Sequence, residues 1–143
     1  MLHLINSLTD PLILFIKDDP VRPEIPLEFR VSASTEILAL VQDGKPRAIV
    51  CVAYRNFVPK DTSELMESSE EQSVAIFYTI WSYEAGAGRE LIQLARKELS
   101  TRKPNVKKFV TLSPTTEMAR RFHLKNGANI FRSNLDSVNY EYA

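Results

Sequence analysis

Gly86 and Gly88 stand two residues apart in Tyr83-Glu84-Ala85-Gly86-Ala87-Gly88-Arg89, in a chain with only four glycines. An apolar, β-capable run, Val74 to Trp81, precedes this segment, and an amphipathic stretch from Glu90 to Leu99 comes after it. A strand, a glycine turn and a helix together make a place to hold a phosphate. Without a Cβ at Gly86 or Gly88 the backbone can come close to an anion. The first turn of the helix then offers unpaired N–H groups and the positive end of its dipole. Arg89 reads either as an added charge on that anion, where a guanidinium suits phosphate, or as a solvated helix residue.

Two other side chains carry chemistry. His123 has an ordinary pKa near ~6.5 and can exchange a proton at neutral pH; the alternative is a histidine on a helix face. Ser113, before Pro114, is either a nucleophilic hydroxyl or a strand-end cap for the next helix. Trp81 and Tyr83 read as core, rim or cleft wall. Cys51 lies within a strand pattern and reads as a small buried apolar residue. The acidic run from Glu64 to Glu71 reads as a solvated loop, with attraction of a cationic amine as the alternative.

Other chemistries lack their residues. A dinucleotide fingerprint needs a third glycine, but Arg89-Glu90-Leu91 comes after Gly88; a Walker loop needs Gly-Lys-Ser/Thr. His3, His123 and Cys51 have no metal-ligand spacing. Lys+Arg and Asp+Glu are equal at 18 each, so no net field draws the chain to nucleic acid or anionic lipid. The run Pro11 to Ile16 is too short to span a bilayer and the first residues lack a basic leader, so a cytoplasmic protein is expected. At 143 residues, with 44% hydrophobic and 25% charged, the chain fits one globular domain over residues 1–143.

The elements that position these residues are set by pattern. Asp10-Pro11 is a helix start before Leu12 to Ile16, which periodicity leaves as short helix or buried strand. Pro20, Pro23 and Pro26 mark a rigid extended connection and a candidate groove wall. Glu36–Gln42 and Ala48–Tyr54 read as strands joined through Asp43-Gly44, a hairpin turn needing positive φ. Lys60 to Gln72 reads as a polar loop with a short helix. After the 74–81 strand, Leu91, Ile92, Leu94, Ala95 and Leu99 recur at helical spacing. Lys107–Leu112 is a strand, Thr115 or Thr116 caps a helix to about Lys125, and Gly127 ends it. Asn129–Arg132 and Val138–Tyr142 complete an α/β chain with a mixed, mostly antiparallel sheet of six to seven strands flanked by helices, one parallel pair spanning the glycine turn.

The glycine turn resembles the pyrophosphate loop of the GNAT superfamily of N-acetyltransferases, [Q/R]-x-x-G-x-[G/A] with an aliphatic residue three positions on. Gly86, Ala87, Gly88 and Leu91 match it, and Tyr83 takes the Gln/Arg place. Ala119, Lys125, Gly127 and Ala128 are similar to that superfamily's late helix and turn, where His123 replaces a Tyr and Thr116 an Asn. The resemblance covers residues 74–142 well and the N-terminal half by strand order only. It implies an acetyl-CoA or other acyl-CoA ligand. The backbone of Ile80, Trp81 and Ser82 would meet its pantetheine arm, and N–H groups from Glu84, Ala85, Gly86, Ala87, Gly88 and Arg89 its pyrophosphate. His123 would point toward the sulfur as a proton donor. The acceptor would be a small-molecule or peptide amine, and the protein a monomer or homodimer.

The segments Ala75 to Ile80 and Phe109 to Pro114 are also similar to the catalytic domain of malonyl-CoA decarboxylases, which resemblance makes Ser113 the counterpart of their serine. Their histidine comes much later, and none occurs after His123 here. Three expectations result: acyl transfer to an amine, an acyl-CoA-binding regulatory module, or a decarboxylase-like activity through Ser113.

Overall fold

The computed structural model describes residues 1–143 and contains one seven-stranded sheet. In chain order the strands are β1 (Leu2–Ile5), β2 (Thr35–Gln42), β3 (Lys45–Arg55), β4 (Val74–Ser82), β5 (Lys108–Thr111), β6 (Asn129–Ser133) and β7 (Val138–Tyr142). They lie in the order β1-β2-β3-β4-β5-β7-β6, antiparallel throughout except for the parallel pair β4–β5. The helices are α1 (Leu27–Arg30), α2 (Thr62–Leu65), α3 (Ala87–Arg102) and α4 (Glu117–Lys125), with a 3-10 helix over Pro11–Asp18. None is long and apolar enough to cross a membrane.

The central strands read as unbroken apolar runs because both faces of the sheet are covered. Leu38, Leu40, Val50, Val52, Ala75 and Phe77 face α3, where they meet Leu91, Ile92, Ala95 and Leu99. Their neighbours Ile37, Ala39, Ile49, Cys51, Ala53 and Ile76 face the opposite way, under Ile16, Ile25 and Leu65. Cys51 is buried there, and its thiol is pushed up to about 11, mainly by burial, so it is a thiol at neutral pH.

Local signals hold where the chemistry is local. Asp10 caps the 3-10 helix through the Leu12 N–H (2.9 Å), and Thr116 caps α4 through the Ala119 N–H (3.2 Å). Asp43 and Gly44 take φ of 54° and 76° at the hairpin, and Gly127 takes 99° after α4. Two elements had no sequence signal. The edge strand β1 is held by its ladder to Ile37–Leu40. The single turn α1 is held by Arg30, a charged residue at 1% exposure that no apolar period marks. The proline-rich connection is a compact turn, not simply extended, because Asp19 Oδ1 accepts the N–H groups of Val21 (2.8 Å) and Arg22 (3.0 Å).

Candidate coenzyme cleft

The site begins with a fault in the ladder. β4 pairs with β3 across most of its length, but the register slips between Cys51 and Val52, so that Cys51 opposes Thr79 and Val52 opposes Phe77. Tyr78 is the extra residue, and such a bulge bends its strand and re-aims the residues beyond it. β4 pairs with β5 only from Val74 to Phe77, and the last contact between them is Leu112 N–H to Phe77 O at 3.2 Å. Beyond it the two strands part.

A cleft of about 340 Å³ opens where they separate. Ile80, Trp81 and Ser82 of β4 form one wall, with Gly88 of α3 at one end. Pro114 and Thr116, together with Met118, Ala119 and Phe122 of α4, form the other. Pro20 and Val21 close it from the sheet's opposite face; Pro23 and Pro26 of the proline pattern do not line it. Its walls carry no titratable side chain: they are apolar, with the hydroxyls of Ser82 and Thr116.

At the Gly88 end lies the turn. Gly86 is the N-cap of α3, with φ 82° and no side-chain capping bond. Space is open around a Cβ built at Gly86, so the glycine is required for its left-handed backbone, not for clearance from the protein. Gly88 is the close-packing glycine: a Cβ there would lie 3.2 Å from the Phe122 ring. Of the N–H groups expected to face a pyrophosphate, that of Ala87 is already bonded to Glu84 O (3.3 Å) and Ala87 is buried. Those of Gly88 and Arg89 meet no acceptor. Arg89 is exposed and without an ion-pair partner, whereas Glu84 and Glu90 are both tied to Arg47, at 2.6 and 3.1 Å. That pairing neutralises two carboxylates beside the candidate anion site, an arrangement sequence spacing does not reveal. Ala85 is exposed on the same turn. Tyr83 is pinned sideways: its hydroxyl donates to Asp18 (2.8 Å) and accepts from the Trp81 indole (3.1 Å).

No family model matches the chain, and no curated protein matches it in sequence. Solved structures do. Malonyl-CoA decarboxylase from Agrobacterium vitis superposes over 85% of this chain and 35% of its own, at 25% identity and a TM-score of 0.71. The Rhodopseudomonas palustris decarboxylase superposes over all of this chain (100%) and 59% of its own, at 21% identity and a TM-score of 0.77. A putative acetyltransferase of the GNAT family from Desulfovibrio desulfuricans matches 99% of this chain and 98% of its own, at 11% identity and a TM-score of 0.67. The chain has the GNAT fold. It spans 35% and 59% of the two decarboxylase chains, which are therefore considerably longer.

Within that fold, Ile80, Trp81, Ser82 and Gly88, of the β4 and turn residues singled out from the sequence, line one cleft, and the two candidate catalytic side chains do not. His123 is 4% exposed and faces β7. Its Nδ1 is 2.7 Å from the Tyr142 hydroxyl and its ring lies on Tyr140, centroids 5.0 Å apart. The neighbouring Phe122 takes the cleft position instead. Burial lowers the His123 pKa to about 4, so the imidazole is neutral at pH 7. Ser113 is also 4% exposed and caps no helix. Its hydroxyl donates to Thr111 Oγ1 (2.8 Å), which accepts the Tyr140 N–H as well (3.0 Å). Its backbone exchanges hydrogen bonds with Val138. Both residues belong to a satisfied polar seam between β5, α4 and β7.

Sequence reasoning missed Arg22 and Asp19, which lie in a loop read only for its prolines. Asp19 is 4% exposed, accepts from Thr79 Oγ1 (2.8 Å) and pairs with Arg30 (2.7 Å). An Asp-Pro with an arginine two positions beyond it is the only sequence signal for the pair.

Proposed function

We propose that the protein binds an acyl-CoA in the opening between β4 and β5 and passes its acyl group to an amine. The observation that carries this reading is the end of β4, still paired to β3 but no longer to β5, running into a turn whose Gly88 and Arg89 N–H groups have no acceptor. The pyrophosphate would take those N–H groups at the positive end of α3, with Arg89 beside it. The pantetheine arm would lie along Ile80–Ser82 and the thioester would reach toward Pro20 and Val21.

The chemistry suits such a cleft. A neutral amine attacks the thioester carbonyl carbon, the C–S bond breaks, the thiolate leaves with the electron pair, and the amine gives up one proton while the thiolate gains one. Holding the two reactants together supplies much of the acceleration without any acid or base. With no titratable side chain on the walls, both protons exchange through water reaching the open cleft.

Calorimetric titration with acetyl-CoA, malonyl-CoA and desulfo-CoA tests the reading. Micromolar binding that is lost in Gly86→Val supports it; binding that survives in folded Gly86→Val overturns the proposed pyrophosphate site. Binding without turnover on any amine supports an acyl-CoA-binding module instead. A decarboxylase-like reaction is the second reading, favoured by the superposition of malonyl-CoA decarboxylases on 85–100% of this chain. It needs Ser113 to leave its bond to Thr111. Release of carbon dioxide from malonyl-CoA, abolished by Ser113→Ala, would establish it.

A further inference from the structure

We infer that Arg22 is a positioning residue for the cleft, a wedge whose guanidinium stands in the missing rungs of the β4–β5 ladder and sets how far the strands part. The inference rests on the acyl-CoA reading for its purpose, but on the geometry of the chain itself for its existence.

After the bond from Leu112 N–H to Phe77 O, β5 has no donor left for β4. Ser113 N–H is bonded to Val138 O at 2.9 Å, and Pro114 has no N–H at all. Two carbonyls at the fork, Tyr78 O on β4 and Leu112 O on β5, would therefore lose their partners inside the protein. Arg22 reaches both: Nε donates to Tyr78 O at 3.3 Å and Nη2 to Leu112 O at 2.9 Å. A planar fork of donors can bridge two acceptors on separate strands, which a single ammonium does poorly. The fork is thus satisfied while open.

Arg22 is itself held from both sides. Asp19 Oδ1 fixes the Arg22 N–H and, through Thr79 Oγ1, ties the turn to the residue of β4 next to the bulge. Asp19 Oδ2 takes Arg30 Nη1 (2.7 Å), and Arg30 Nη2 donates to the Arg22 carbonyl (2.7 Å). Tyr78 and Thr79 of β4 are therefore grasped by Arg22 and Asp19 of one rigid turn, whose Pro20 and Val21 form cleft wall. The strap places the wedge and shapes the cleft together.

Two measurements test this, one free of ligand. Amide hydrogen exchange on Arg22→Ala should speed up at least tenfold at Thr79, Ile80 and Leu112 while β2 and β3 keep their protection, because two bonds to a charged donor are lost only at the fork. Unchanged exchange there overturns the wedge. Calorimetry should then show Arg22→Lys and Arg22→Ala weakened about tenfold for acetyl-CoA, with unchanged affinity for adenosine 3′-phosphate 5′-diphosphate, which has the pyrophosphate and no pantetheine. Added guanidinium should restore part of the Arg22→Ala loss. Equal losses for both ligands would mean a general structural role and overturn positioning. Wild-type protein that binds neither ligand would sink the acyl-CoA reading, and hydrogen exchange would still decide the wedge.

Discussion

The turns at the ends of β4 and β5 flank the same cleft and are built to opposite rules. After β4, Gly86 adopts a left-handed backbone, α3 starts without a side-chain cap, and the N–H groups of Gly88 and Arg89 have no acceptor. After β5, nearly everything is paired: Ser113 to Thr111 and Val138, Thr111 to Tyr140 and Asn139, Thr116 to Ala119, and His123 to Tyr142. A buried polar group that has its partners stabilises a fold and is not free to react, whereas unpaired donors at a cleft mouth are a reserve for a ligand. Reactive residue types therefore sit in the closed corner, and the proposed binding capacity sits in a turn of glycine and alanine.

This contrast makes crossed predictions, in which damage to the closed corner lowers stability and damage to the open turn lowers affinity. Thr111→Val strands the Ser113 hydroxyl and the Tyr140 N–H, and should cost about 3 kcal/mol in chemical denaturation. It should leave acetyl-CoA affinity unchanged; a matching loss of affinity would break the comparison.

His123 adds a pH dependence of known sign. Its folded pKa, about 4, lies below the unfolded value of 6.5, so its contribution is complete above pH 6.5 and is lost as pH falls toward 4. The loss is up to about 3 kcal/mol by the usual conversion of pKa shift to free energy. In His123→Phe that part of the stability–pH curve should flatten, the unpaired Tyr142 hydroxyl should lower stability at every pH, and turnover should persist. Loss of turnover with folding intact would return His123 to the reaction.

Gly86→Val, in the open turn, forces a branched residue to φ near 82° and should cost about 2 kcal/mol. Its coenzyme affinity should fall tenfold or more, out of proportion to that strain. Arg89→Ala is the mildest change: stability should stay within about 0.5 kcal/mol. Affinity should drop about threefold at low salt and match wild type at high salt, as expected for an exposed charge acting on an anion. A salt-independent loss would mean that Arg89 packs rather than pairs.

The fold was legible where a short window contains the cause. Apolar runs with a glycine turn between them marked β2, β3, β4 and α3, and the threonines at 115 and 116, one of them a cap, marked the start of α4. The late-helix pattern also put His123 on the correct helix. It could not say which way the helix turns, and Phe122, one position earlier, took the cleft. The capping role open to Ser113 went to Thr116, because Ser113 is already paired with Thr111 and Val138. Arg22 and Asp19 left almost no trace, since their partners Tyr78, Thr79 and Leu112 lie 56 to 90 positions away.

By itself, then, the sequence determined the order and type of most elements and the glycine turn, because periodicity, capping and positive φ act within a few residues. Only the tertiary structure decided which groups are spent and which are free. A hydrogen bond is settled by the partner that arrives from elsewhere in the chain. At the β4–β5 fork that partner is Arg22, and at the α3 N-terminus none arrives.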